Sequence, residues 1–96
     1  MTNDELRRHI CGKVARRISE VAPQGLGRWD DAWDRVREPS DAFLDALAAF
    51  LEADTPETRD RIQRAADTLV RAWRLAGQEW EAHGRPGADA VEEVPA

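Results

Sequence analysis

The chain has 96 residues, a net charge of −5 and a single cysteine, Cys11. That is the length of one domain, large enough to fold without a disulfide or a metal. One cysteine excludes an intrachain disulfide and fits a reducing compartment. No run of about eighteen apolar residues exists to form a membrane-spanning helix. The acidic start Met1-Thr2-Asn3-Asp4-Glu5 lacks the apolar stretch of a signal peptide. A cytoplasmic protein is expected. Thirteen Arg stand against one Lys, Lys13, among many Ala, a bias that points to a GC-rich bacterial or phage genome.

Thr2 and Glu5 have the capping-box spacing, so a first helix is predicted over 3–22. Leu6, Ile10, Val14, Ile18 and Val21 share one face of it, broadened by Cys11, Ala15 and Ala22. Gly12 lies mid-helix, where it costs up to about 1 kcal/mol against Ala and would permit a close helix–helix approach. Pro23, Gly25 and Gly27 mark a loop. A short helix follows over 28–37, with Trp29, Ala32, Trp33 and Val36 on one face, and Pro39 is expected to end it. Ser40 then caps a third helix over 41–53. Its core residues are read as Phe43, Leu44, Leu47, Phe50 and Leu51.

The rest of the chain is organised around the stretch from Thr55 to Gly84. Thr55 is an N-cap and Pro56 occupies the first helical position. Ile62, Ala66, Leu69, Trp73, Ala76, Trp80 and His83 recur at alternating spacings of 4 and 3. Gly84 and Pro86 stop the helix. At about 1.5 Å per residue it is roughly 40 Å long, so it spans the whole bundle or projects beyond it. The expected fold is all-α: a small bundle of three main helices and one short one, with the long C-terminal helix as spine. Residues 1–84 form the domain, and 85–96, without periodicity, form a disordered acidic tail.

Charge is segregated along the chain. Residues 1–28 carry six basic and three acidic groups, whereas 29–57 carry two basic and nine acidic. Asp30, Asp34 and Glu38 recur every fourth residue, which on a helix makes a row of carboxylates about 6 Å apart, flanked by Arg35 and Arg37. Asp41, Asp45 and Glu52 continue the acidic character. Trp29 and Trp33 sit among these carboxylates, and Trp80 lies near the end of the long helix. Trp is a residue that dominates protein interfaces, so Trp29, Asp30, Trp33, Asp34, Glu38 and Trp80 are the candidate partner-binding residues.

No constellation supports catalysis. His9 and Cys11 are two residues apart and do not face each other on a helix. No phosphate-binding glycine loop is present. Glu79 and His83 lack the Glu-x-x-His spacing of a di-iron bundle, and no calcium loop occurs, so neither a cofactor nor a metal is expected. The leading expectation is therefore a non-enzymatic module that regulates, adapts or inhibits by stoichiometric binding to a protein. One alternative is an acidic mimic of nucleic acid that blocks a DNA- or RNA-binding partner, of the anti-restriction or anti-CRISPR kind found in phage and mobile elements. Another is a helical DNA-binding regulator using Arg59, Arg61 and Arg64, which the net acidity disfavours. A homodimer through the long helix, around Ala76 and Trp80, is a further expectation.

Overall fold

The computed structural model describes residues 2–87. Among them are three α-helices and no strand: α1 (Asn3–Val21), α2 (Asp30–Glu52) and α3 (Pro56–Ala82), with a 3₁₀ turn at Leu26–Arg28. The all-α bundle with a long C-terminal spine is what the periodicity predicts. α3 begins as expected, with Thr55 as N-cap and Pro56 at the first position. The Thr55 hydroxyl accepts from the Thr58 N–H at 3.1 Å, and the Thr58 hydroxyl accepts from the Thr55 N–H at 2.9 Å. α3 ends in a left-handed Gly84, φ 81°. The Arg85 N–H donates to the Trp80 carbonyl at 2.8 Å and the Gly84 N–H to that of Glu81 at 3.1 Å, so the last turn closes as a Schellman motif.

The main departure is at Pro39. The helices expected over 28–37 and 41–53 are one continuous α2, with Pro39 inside it. An interior proline removes a hydrogen bond and crowds the preceding turn, costing about 3 kcal/mol. Burial on both sides opposes the break. Ala32 and Val36 before the proline, and Phe43, Ala46 and Leu47 after it, are all buried and fall within one stripe facing α3. Phe43 and Leu47 alone contribute about 1.5–3 kcal/mol each, which outweighs the proline. The same register turns Leu44 outward, about 100° from Phe43. It is 55% exposed, not a core residue as the shorter helix implied.

α2 and α3 are antiparallel: Trp33 meets Trp73 at one end, and Arg59 holds Asp54 at the turn between the helices. α1 runs parallel to α3, with Arg17 on Asp67 at 2.9 Å and Pro23 against Gly77. Val14 is the one buried residue of α1. Gly12 is not a close-approach site, because a Cβ there would meet nothing within 4 Å. That role belongs to Gly77, where a Cβ would lie 2.6 Å from Pro23 Cδ.

Trp80 closes the other end. It is 2% exposed, and its indole N–H donates to the Pro86 carbonyl at 2.9 Å. Gly25, at φ 93°, approaches so near that a Cβ would sit 3.4 Å from the ring. α3 therefore does not project from the fold at this end. Arg85–Gly87, expected to begin the tail, fold back over Trp80, while 88–96 lie outside the described residues.

Three outcomes follow. Pro39→Ala should stabilise the protein by about 2 kcal/mol, read from the denaturant midpoint at unchanged slope. Gly77→Ala should lower stability by about 1–3 kcal/mol despite its better helix propensity, because Pro23 must move; a melting temperature at or above wild type would refute the close approach. The Arg59 hydrogen bond holds the Asp54 carboxyl below its usual value, and Arg59 is raised in turn. A depressed carboxylate stabilises the fold above the unfolded value near 3.8 and loses that contribution as pH falls through the folded value. The wild-type advantage over Asp54→Asn should therefore shrink as an acid titration passes below that pH.

Candidate partner-binding surface

Because α2 is unbroken, the acidic residues form a longer row than the sequence segments implied. Asp30, Asp34, Glu38, Asp41, Asp45 and Glu52 are all exposed and lie on the side of α2 opposite the buried stripe. From Asp30 to Glu52 the row runs about 33 Å at the helical rise. Neutralisation within it is slight. Arg37 pairs with Asp34 at 2.8 Å, but Arg35, expected to serve the row, turns away to pair with Glu79 of α3 and to donate to the Asp31 carbonyl at 3.0 Å.

The four tryptophans divide between the fold and the surface. Trp73 is 9% exposed and Trp80 2%, so Trp80 is a core residue and not the interface anchor its position near the helix end suggested. Trp29 is half-buried. The Arg35 guanidinium lies 4.7 Å from its ring centroid, and His83 packs against it at 5.7 Å. Its ring is largely engaged in joining the start of α2 to the end of α3.

Trp33 is different. It is 52% exposed, yet it is held in place. Its ring stands edge-to-face on Trp73, 5.1 Å between centroids, and its N–H donates to the Gly27 carbonyl at 2.8 Å. With the polar atom satisfied inward, what it offers to solvent is apolar ring. Leu44 shares this flank of α2, within about 20° of Trp33 around the helix, and the acidic row borders both. Leu44 escaped the sequence pattern because a helix boundary at Pro39 put it in the core; its position off the 32–36–43–47 stripe is the signal that an unbroken helix reveals.

The structure thus places Asp30, Asp34 and Glu38 on one face with Trp33 on its flank, leaves Trp29 at the start of α2 against Arg35 and His83, and withdraws Trp80. Leu75, 52% exposed, lies on the outer side of α3, away from this surface. His9 is exposed and Cys11 half-buried on α1. Among the described residues no three His, Cys, Asp or Glu side chains gather in a metal-holding arrangement, no polar or charged residue is buried, and no helix is long and apolar enough to cross a membrane. The chain matches no protein-family model, no curated protein and no solved structure.

Proposed function

We propose that this chain is a non-enzymatic binding module that occupies a partner protein through the outer face of α2. Trp33 supplies the anchor, Leu44 extends the apolar flank, and the row from Asp30 to Glu52 faces a basic surface. The observation that carries this is Trp33: a half-exposed indole with its N–H satisfied and its ring braced on Trp73. A rigid aromatic of this kind binds at low entropic cost. The acidic row supports the reading too. Like charges at i,i+4 destabilise a helix by about 0.2–0.5 kcal/mol per pair, and Glu52 places a carboxylate at the negative end of the helix dipole. Neither arrangement serves folding. The absence of buried titratable groups among the described residues fits a non-catalytic role, and the lone Cys11 fits action in the cytoplasm of a bacterial or phage-infected cell.

A second reading draws on the continuity of α2. An acidic row of about 33 Å matches one turn of B-DNA, roughly 34 Å, so the partner's basic surface would be a nucleic-acid groove and the chain an inhibitor by mimicry.

Affinity capture from a bacterial lysate tests both. The wild-type chain should retain a defined partner. Trp33→Ala should weaken that complex at least about thirtyfold, the cost of losing an interface hot spot, with the helical circular dichroism spectrum unchanged. The combined reversal Asp30→Lys, Asp34→Lys and Glu38→Lys should abolish it. Under mimicry, the retained protein binds nucleic acid, leaves at high salt and is displaced by duplex DNA. Retention of the same partner by both variants would overturn the assignment.

A further inference from the structure

Where α2 turns into α3, the three helices do not close on one another. They border an open groove of about 590 Å³, within the range of about 300–1,000 Å³ typical of small-molecule sites. Its floor is apolar: Val14 and Phe43 are buried, and Phe50 and Ile62 half-buried. Its rim carries Lys13 and Arg17 from α1, Arg59 from α3 and the Asp54 carboxylate from the turn between α2 and α3. Arg17 and Arg59 hold Asp67 and Asp54, whereas Lys13 makes no ion pair among the described residues. The acidic row of α2 points outward, away from this groove.

We infer that the groove binds a single-chain amphiphilic carboxylate, with its acyl chain along the floor and its head group at Lys13. Three features converge on that class. An apolar floor rewards hydrocarbon and offers a polar solute little. Lys13, the mouth cation not held in an ion pair among the described residues, favours an anion over a neutral chain. All three helices contribute wall, so an occupant lies between them; a chain one carbon wide does so in place, whereas a fourth helix is about 10–12 Å across with its side chains. The occupant also supplies partners for apolar atoms that otherwise face an unfilled space. This site is separate from the outer face of α2, and its failure would leave the partner assignment untouched.

Titration calorimetry with straight-chain carboxylates of increasing length, kept below their micellar concentrations, tests the inference on the intact chain. Affinity should rise about fourfold per added methylene until the groove is filled, with one molecule bound per chain. The alcohol of equal length should bind at least about tenfold more weakly. Lys13→Glu, at an exposed position, should remove that preference without altering the fold. Phe50→Trp, which fills the floor, should abolish binding while the helical spectrum persists. Absence of saturable binding, equal affinity for alcohol and carboxylate, or indifference to Lys13→Glu would overturn it. So would a stable dimer in sedimentation that Phe50→Trp dissociates, since a second copy would then be the groove's occupant.

Discussion

The continuous run of α2 past Pro39 ties both of its halves to one apolar seam on α3. Ala32 and Val36 on one side of the proline, and Phe43, Ala46 and Leu47 on the other, share a single stripe, so a break at Pro39 would take one half out of register. The proline opposes helix locally while the stripe requires it over a longer range, and burying that apolar area outweighs the local cost. The outward features follow from that choice. With the stripe fixed, Trp33 is set at its edge against Trp73, Leu44 is turned to solvent, and six carboxylates align on the far side.

The two ends of the bundle are fastened differently. Around Trp80 the indole N–H, the left-handed Gly25, the Schellman close at Gly84 and the Pro23–Gly77 approach all act within a short distance. They lock the connection from α1 to α2 and the segment after α3 onto one ring. At the Asp54 end the fastenings are exposed ion pairs, Arg59 with Asp54 and Arg17 with Asp67, each worth little net free energy. α1 contributes one buried side chain, Val14.

Most of the fold was legible in the residues. The cap at Thr55, the stop at Gly84 and the seam of α3 are local signals with fixed spacing, and they place the spine correctly. Pro39 was not legible, because its local preference is for a break and the outcome is decided by contacts with α3, some thirty residues away in sequence. Gly12 and Gly77 show the same limit: a mid-helix glycine announces its cost but not which neighbour, if any, requires it. For the candidate surface, the Asp30–Asp34–Glu38 spacing identified the row directly. Which tryptophans stay exposed was not readable, since Trp33 and Trp80 both sit at helix-compatible apolar positions and only packing separates them.

The electrostatics of α2 bear on why such a surface exists. Carboxylates about 6 Å apart lie within the screening distance of about 8 Å at physiological ionic strength, so neighbours in the row repel in the free protein. Arg35 could relieve that repulsion, but it is committed to Glu79 and to the face of Trp29. Arg37 relieves it at Asp34 alone. Asp30, in the first turn, complements the helix dipole, whereas beyond Asp34 the row lacks ion-pair partners among the described residues and its neighbours repel. A basic surface laid against it would remove that repulsion as it binds, and the braced Trp33 beside it would add apolar contact that salt does not screen. Under the proposed binding role, charge would set which partners approach, and the indole and Leu44 would set which of them remain.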